Sequence, residues 1–335
     1  MTRLDLKSAF FRIKVPAKYR YLTAFTSGGQ QYQFRRMPFG LKTAPSTFQH
    51  YIDDLLICFR AWSLVYIDDI LIWAHSKAEL DYRVGLVRTK LTKAGNEVNE
   101  TKSEHCKSGM VFAGIFLFAS GVGPDVRKMK TLLRIPPPST KKDMQSALGL
   151  VSYLRDFIPL QSHYTALLYP SKSGVALSTA EYAQAWGRLV RHIQSAANTL
   201  RHFQEDCDAD LYCDASGFAL GAVIIQKGKI VAVTSRKLTP AETRYSATDR
   251  EHLALVHAAR KFRVFLHRDS AKTNVWSDHA ALIGRRSEDL TPRQQRWQDI
   301  VTCWIPNASH IKGINNPADY ISRLAVEIQG GALKL

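Results

Sequence analysis

The chain has 335 residues, of which 45% are hydrophobic and 22% charged, and its excess of Lys and Arg gives a formal net charge of +17. This balance excludes a disordered or fibrous chain, and the length predicts two or three domains. No apolar run reaches the roughly 18 residues that a membrane span needs. Five cysteines without a C-x-x-C pair predict no disulfide framework or zinc site and fit a reducing compartment. The positive charge favours a polyanionic partner, usually nucleic acid, over a merely solvated basic surface.

The hydrophobic pattern predicts an α/β protein, with two α/β regions joined by a helical connector. In the first region the predicted elements are strands at 11–15 and 32–34, a helix from Thr43, a β-hairpin at 64–66 and 70–73, and a helix at 77–93 that stops at Gly95. In the remainder they are first a helix that is capped at Ser139-Thr140, after the rigid Pro136–Pro138 break, and a helix at 179–200. An antiparallel meander at 211–214, 221–225 and 230–233, a helix at 247–266 and a strand ending at Trp276 follow.

The first candidate site is the turn of the predicted hairpin, where Tyr66-Ile67-Asp68-Asp69 places two adjacent carboxylates on a rigid apolar scaffold. Such like charges repel, and bound divalent cations such as Mg²⁺ would offset that cost. Asp5 could supply a third carboxylate, since it is the single acid among the first 50 residues, which contain nine Lys or Arg. A plain Asp-Asp turn is the alternative interpretation of the tetrapeptide alone.

The same tetrapeptide occurs a second time, as Tyr51-Ile52-Asp53-Asp54. This copy follows the polar stretch 47–50 and has no apolar arm before it. The pattern therefore predicts a helix with exposed acids there, and not a metal site.

Five ordered blocks resemble the palm of a reverse transcriptase, in particular that of gypsy-type LTR retrotransposon polyproteins. They are LDLKSAF at 4–10, TAF at 23–25, MPFGL at 37–41, APSTFQ at 44–49 and VYIDDIL at 65–71. The resemblance implies a partial right-hand polymerase fold in which Asp5, Asp68 and Asp69 are catalytic carboxylates that hold Mg²⁺, with Mn²⁺ as a substitute. It also implies that Phe10, Phe39 and Gly40 bind the incoming nucleotide, with Phe10 selecting deoxyribose.

Two further stretches extend the resemblance beyond the palm. FAG at 112–114 is similar to the hairpin that holds the primer, and LGLVSYLRDFIP at 148–159 is similar to the thumb and connection. The family has a fingers segment before the first catalytic Asp, whereas four residues precede Asp5 here. We therefore expect polymerisation by this chain alone to be impaired.

The second candidate site consists of four acids placed at strand ends and on one helix: Asp214, Glu251, Asp278 and Asp319. A sheet could gather them around two metal ions, the arrangement that two-metal phosphodiester hydrolysis needs, although each acid by itself could be an ordinary exposed one. Arg293, Arg296 and Trp297 could contact a nucleic-acid backbone, or could equally be a half-buried Trp with surface arginines.

The blocks around these acids resemble the ribonuclease H domain of the same polyprotein, a mixed β-sheet with flanking helices. They are DAS at 214–216, GAV at 221–223, SRKLTPAE at 235–242, YSATDRE at 245–251, SDHAAL at 277–282 and ADYISRL at 318–324. The resemblance implies that all four acids are catalytic metal ligands. His310, near where the family often has a histidine, could aid product release, or could equally be a surface or phosphate-contacting histidine.

Together these observations predict a retroelement enzyme fragment that synthesises DNA on RNA and cleaves the RNA strand of RNA–DNA hybrids. Its expected partners are an RNA template, a DNA primer, RNA–DNA hybrid and dNTPs, with no membrane. A non-catalytic nucleic-acid-binding relic is the alternative. Cysteine usage and the family resemblance suggest a cytoplasmic particle or the nucleus. The predicted divisions are palm 1–120, thumb and start of the connection 121–170, helical connector 171–206, ribonuclease H-like domain 207–326 and tail 327–335.

Overall fold

Two compact units divide the chain, Met1–Ala119 and the part from Ser120 onward. The computed structural model describes residues 1–158, 161–166, 168, 179–196, 199–217, 219–266, 273–277, 290–304 and 308–311. The finer divisions predicted from the sequence stay predictions. None of the helices in these described ranges combines the length and apolar character needed to cross a membrane.

The first unit is built on a four-stranded sheet in the order β4-β5-β1-β6. Two small hairpins, β2–β3 and β7–β8, accompany it. The elements are β1 Thr2–Leu6, β2 Phe25–Ser27, β3 Gln30–Tyr32, α1 Ala44–Leu56, β4 Ser63–Tyr66, β5 Asp69–Ile72, α2 Lys77–Lys93, β6 Val98–Glu104, β7 Gly109–Phe112 and β8 Ile115–Phe118.

The two faces of β1 differ in chemistry, because successive side chains of a strand point to opposite sides. Leu4 and Leu6 are buried in the core of the unit, where the α1 residues Phe48 and Ile52 also lie. Arg3 and Asp5 therefore share the other face of the strand, where both remain partly exposed. The apolar face fixes the strand and leaves its charged face available for chemistry.

Most of the predicted elements of this unit are confirmed. The hairpin around Asp68, helix α2 and the helix that follows Thr43 are present, and Gly95 has the positive φ of +74° typical of a helix C-terminus. The strand predicted at 11–15 is wrong. Ala9–Arg12 instead forms a 3₁₀ helix, and Lys14 makes only an isolated β-bridge with Arg36.

The hairpin β7–β8 is closed by a two-residue turn at Ala113-Gly114. Both residues have positive φ, +47° and +81°. This backbone matches the right-handed twist of the strands it joins, which is why Gly is favoured in such turns. The stretch FAG is thus a tight hairpin, as its resemblance to the primer-holding hairpin implied.

The second unit contains helices and a five-stranded sheet in the order β13-β12-β11-β14-β15. The first three strands form the predicted antiparallel meander, and β14 and β15 are added in parallel. The elements are β9 Gly121–Pro124, α3 Val126–Arg134, α4 Lys141–Tyr153, α5 Gln161–Ala166, α6 Thr179–Ala196, β10 Leu200–Arg201, β11 Ala209–Ala215, β12 Ala219–Gln226, β13 Lys229–Lys237, α7 Ala247–Leu266, β14 Thr273–Ser277, α8 Pro292–Trp304 and β15 Ala308–His310.

Among the described residues of this unit, the two larger hydrophobic clusters lie under its helices. Helices α3, α4 and α6 share one core that includes Trp186, while α7 packs its residues Ala254 and Ala258 into the other, with Leu211 and Val275 of the sheet. The predicted cap of α4 is confirmed, because the Thr140 hydroxyl accepts the Asp143 N–H at 3.1 Å. The meander of the five-stranded sheet and helix α7, which packs against it, are also present as the sequence predicts.

Gly121 provides a test of the β9–β10 pairing, because a methyl group at this position would overlap the carbonyl oxygen of Leu200. We expect Gly121→Ala to lower the free energy of unfolding by about 1–3 kcal/mol, the usual cost of overpacking. Gly149→Ala is the matched control, since its Cβ would meet open space on helix α4 and should stabilise by about 0.5–1 kcal/mol. Urea unfolding measures both changes, and a neutral Gly121→Ala would contradict the pairing.

Candidate active sites

The first site lies where β1 pairs with β5 in antiparallel register. In this register Asp5 stands directly opposite Asp69, and the Leu6 N–H donates to the Asp68 carbonyl at 3.0 Å. Directly opposed residues of an antiparallel pair point their side chains to the same face, with Cβ atoms about 5 Å apart. Asp68 adjoins them in the exposed turn between β4 and β5. The fold thus brings all three predicted carboxylates to one end of the sheet.

The electrostatics of this site reflect crowding of like charges. Burial raises the pKa of Asp5 above its ordinary value, the Asp68 charge raises it further, and Lys102 acts in the opposite direction. Burial likewise raises the pKa of Asp69, where Asp68 and Asp5 add to the rise and Arg3 opposes it. The carboxylates therefore repel one another, and a bound cation would relieve that repulsion.

Arg3 is a neighbour of this site that the sequence analysis did not single out. Its Nε lies 3.8 Å from an oxygen of Asp69, and its guanidinium also forms an ion pair with Glu104 at 2.8 Å and donates to the Val111 carbonyl at 3.1 Å. Its position two residues before Asp5 on the same strand could have revealed it, since residues i and i+2 of a strand share a face.

The donor chemistry of the first site fits a hard divalent cation. Asp5, Asp68 and Asp69 offer only carboxylate oxygens, the ligands that Mg²⁺ prefers. Within the described ranges, however, no three His, Cys, Asp or Glu side chains are gathered closely enough to hold a metal ion. The backbone brings the three acids to one end of the sheet. Their side chains would have to move closer together to bind an ion.

The residues implied in nucleotide binding also come together. The rings of Phe10 and Phe39 meet edge to face with centroids 5.6 Å apart, and Phe10 also meets Phe48 of the core at 5.8 Å. Phe39 is largely exposed, and Gly40 beside it has a φ of +89°, a conformation that favours glycine. These contacts hold Phe10 in place, while its role in sugar selection stays a prediction.

The second copy of the tetrapeptide lies inside helix α1, as predicted. Ile52 is fully buried, Tyr51 accepts a hydrogen bond from Asn96 at 2.9 Å, and Asp53 and Asp54 are exposed. Identical sequences thus adopt a helix in one place and a hairpin turn in the other, because the flanking residues differ.

The second site is built from β11 and α7. Asp214 is the penultimate residue of β11, and Glu251 lies in the second turn of α7, nearly buried. An oxygen of Glu251 accepts the N–H of Ala215, the residue after Asp214, at 3.2 Å. Burial raises the pKa of the neighbouring Cys213 thiol, and the charges of Glu251 and Asp214 raise it further. The structure therefore brings two of the four predicted acids together.

The other two acids, Asp278 and Asp319, lie outside the described residues, as does the side chain of His310. Asp278 directly follows β14 in the sequence, and β14 is parallel to β11. Parallel neighbouring strands have their carboxyl-terminal ends on the same side of a sheet. Ser277, at the end of β14, and Asp214, near the end of β11, therefore lie at the same end of this sheet.

Arg293 is engaged within the protein, and this favours the structural alternative for it. Its guanidinium pairs with Asp249 at 2.8 Å and lies over the Tyr245 ring, 4.1 Å from the centroid. The Gln294 amide donates to the other oxygen of Asp249, also at 2.8 Å. This network joins α8 to the first turn of α7, two residues before Glu251, and sequence reasoning did not anticipate it.

Comparison with known families agrees with this architecture. Residues 1–117 match the reverse transcriptase (RNA-dependent DNA polymerase) family, and residues 205–303 match the RNase H-like domain found in reverse transcriptase. The chain therefore carries one region that matches the reverse transcriptase family and one that matches the RNase H-like domain found in reverse transcriptases.

Its homologues are Pol polyproteins of LTR retrotransposons. The chain is 32% identical over 97% of its length to the retrovirus-related Pol polyprotein from transposon 297 of Drosophila melanogaster, and 32% identical over 98% to the transposon Tf2-3 polyprotein of Schizosaccharomyces pombe. It is 29% identical over 90% of its length to the Pol polyprotein from transposon gypsy of Drosophila melanogaster. The chain spans 31%, 25% and 30% of these relatives, respectively.

Among solved structures, the foamy viral protease-reverse transcriptase in complex with RNA/DNA hybrid has the same fold. The TM-score is 0.79 at 23% identity, and the match covers 93% of this chain and 43% of that one. The same viral protein in complex with dsDNA gives a TM-score of 0.76. The predicted fold class is thereby confirmed.

Replacing one of the crowded acids should stabilise the metal-free chain. We expect Asp5→Asn to raise the midpoint of thermal unfolding at pH 7 by on the order of 2 °C, because it removes a partly desolvated charge that faces Asp68. The raised native pKa means that the folded state binds the proton more tightly. The stability that Asp5→Asn gains over the unmutated chain is therefore complete at neutral pH. This gain vanishes as the pH falls through the raised pKa of Asp5 toward the ordinary value of 3.8.

Calorimetry without divalent cations, at pH 7 and in steps down to acid, measures this change. Asp54→Asn, at an exposed position of helix α1, is the control and should leave the midpoint unchanged. A lower midpoint for Asp5→Asn at pH 7 would contradict the proposed crowding.

Proposed function

We propose that this chain carries out phosphodiester chemistry at two carboxylate sites with Mg²⁺, or Mn²⁺ in its place. The first site, with Asp5, Asp68 and Asp69, extends a DNA primer on an RNA template. The second, with Asp214, Glu251, Asp278 and Asp319, hydrolyses the RNA strand of the RNA–DNA hybrid. The proposed substrates are the primer–template, dNTPs and the hybrid.

The register that pairs Asp5 with Asp69 is the observation that carries the proposal. A fold with no use for this face would not be expected to place two acids opposite each other beside a third, because the pairing costs stability. Divalent cations bound there would activate a hydroxyl or water nucleophile and stabilise the leaving oxygen. The contribution of the chain is to hold Asp5 and Asp69 on adjoining strands with Asp68 in the turn beside them, and to orient Asp69 through Arg3.

At the second site the contacts of Glu251 support an analogous role. Its hydrogen bond to the Ala215 N–H fixes the carboxylate beside the end of β11, where Asp214 lies. The helix that carries it is in turn anchored through Asp249 to α8. A carboxylate held in this way needs little rearrangement to serve as a ligand.

The surface charge of the chain is consistent with a nucleic-acid partner. The first 50 residues contain nine Lys or Arg against the single acid Asp5, and Lys18 and Arg35 among them are exposed. Such cations would contact phosphates and position the duplex without reading its sequence. Nucleic-acid partners also accord with the hybrid and dsDNA bound in the foamy viral structures.

Cleavage of a labelled RNA–DNA hybrid with Mg²⁺ tests the nuclease. We expect cleavage of the RNA strand by the unmutated chain and a loss of more than about 100-fold for Asp214→Asn and for Glu251→Gln, because even indirect partners of metal ligands are worth about 10–100-fold. Asp206→Asn, an exposed acid just before β11, is the control and should cleave normally.

The result that would contradict the nuclease is a folded chain that binds hybrid without cutting it. That outcome would favour the non-catalytic nucleic-acid-binding relic. Circular dichroism confirms folding, and binding should weaken steeply with salt in either case, since it rests on phosphate contacts.

Primer extension on an RNA template tests the palm separately. We expect any extension to require Asp69, so that Asp69→Asn reduces it by more than about 100-fold while Asp54→Asn does not, because only Asp69 lies in the proposed metal site. Extension products resolved by gel electrophoresis measure the effect. Extension that survives Asp69→Asn would refute the assignment of this site.

A further inference from the structure

The turn that carries Asp68 and Asp69 is held in a conformation that its own sequence disfavours. Ile67, between Tyr66 and Asp68, has a φ of +54°, in the left-handed region. A β-branched residue rarely occupies this region, because its side chain crowds the backbone. Such a conformation persists only where the surroundings enforce it, and strained residues of this kind cluster at functional sites.

Gln49 of helix α1 provides that enforcement. Its amide oxygen accepts the backbone N–H of Ile67 at 2.7 Å, and its amide nitrogen donates to the backbone carbonyl of Val65 at 3.2 Å. The two ends of one side chain thus bind both sides of the turn. Because the N–H requires an acceptor and the carbonyl a donor, only one orientation of the amide satisfies both.

Asp53, one helical turn further along α1, fixes this orientation. The second N–H of the Gln49 amide donates to an oxygen of Asp53 at 2.9 Å. An ionised carboxylate only accepts hydrogen bonds, so it must face the amide nitrogen and cannot face the amide oxygen. Asp53 belongs to the second tetrapeptide, the copy inside the helix.

The helix itself is rigidly attached to the sheet, so Gln49 is held in place. Phe48 and Ile52, which flank Gln49 and Asp53 in the sequence, are fully buried in the same core as Leu4 and Ile70. The buried residues of α1 therefore fix the helix, and its polar residues Gln49 and Asp53 connect the helix to the strained turn.

We propose that Gln49, oriented by Asp53, is a positioning residue that sets the placement of the Asp68 and Asp69 carboxylates for metal binding. The proposal rests on the proposed function of the palm, because it assumes that these carboxylates hold a divalent cation. The helical copy of the tetrapeptide then contributes to the site without being a ligand: its Asp53 acts on the hairpin copy through Gln49.

A purely structural role makes a different prediction. If Gln49 only helped α1 to pack against the hairpin, its loss would lower the unfolding midpoint without changing metal affinity. Positioning requires that both the protection of the turn and the affinity of the palm for metal change, and that both recover when the hydrogen-bond pattern is restored.

The experiment uses the full chain and two measurements that do not depend on activity. Hydrogen exchange by NMR reports the protection of the Ile67 N–H, and Mn²⁺ titration followed by water proton relaxation reports metal affinity. The part of the Mn²⁺ binding that is lost in Asp5→Asn is assigned to the palm. We expect Gln49→Met to speed exchange of the Ile67 N–H by about 10-fold or more and to weaken palm Mn²⁺ binding by about 10–100-fold, the usual effect of losing a partner of a metal ligand.

A donor–acceptor swap supplies a matched rescue. Gln49→Glu keeps an acceptor for the Ile67 N–H but places a negative charge against Asp53, so it should weaken Mn²⁺ binding. Adding Asp53→Asn provides a donor to the new carboxylate and should restore part of the affinity and protection, because the Val65 carbonyl still lacks the donor that Gln49 supplied. Asp54→Asn, the adjacent exposed acid, should change neither quantity, and circular dichroism verifies that each variant folds.

Each outcome decides a separate claim. Unchanged exchange of the Ile67 N–H in Gln49→Met would overturn the inference at its first step. Faster exchange with unaltered Mn²⁺ affinity would overturn positioning and leave a structural role. A double variant that binds Mn²⁺ no better than Gln49→Glu alone would overturn the orienting role of Asp53. Mn²⁺ binding that is insensitive to both Asp5→Asn and Asp69→Asn would instead overturn the proposed function of the palm, whatever the exchange of Ile67 shows.

Discussion

The antiparallel pairing of β1 with β5 is the constraint on which the first unit depends. The buried face of β1 carries Leu4, and the buried face of β5 carries Ile70, which stands opposite Leu4 in the ladder. Because side chains alternate with a period of two, this apolar match also determines which residues meet on the other face. Asp5 and Asp69 face each other as a consequence of how the core packs.

Both candidate sites place acids where the surrounding fold has little freedom to separate them. In the palm, the ladder sets Asp5 against Asp69, and the left-handed Ile67 keeps Asp68 beside them. In the second unit, the hydrogen bond to Ala215 holds the nearly buried Glu251 at the end of the strand that carries Asp214. The crowding of the palm acids costs stability in the metal-free chain, and the fixed positions of the acids at both sites would favour capture of a cation.

The sequence predicts the periodic elements and the ligand candidates well, because both leave local signals. Helix α2, the hairpin around Asp68 and the strand before Asp214 are readable from hydrophobic spacing. The stretch 11–15 alternates like a strand but begins in a 3₁₀ helix, since its environment outweighs the pattern. Long-range polar contacts leave no such signal. Gln49 reaches Ile67 across 18 residues, and Arg293 reaches Asp249 across 44.

Cross-strand NMR contacts between β1 and β5 test the central claim most directly, because the register alone decides which side chains share the charged face. Nuclear Overhauser effects between backbone protons should join Leu4 with Ile70 and Asp5 with Asp69. A register shifted by one residue, with Asp5 opposite Ile70, would turn one of the acids toward the core. That result would contradict the account of the palm, and with it the proposed roles of Asp5 and Asp69.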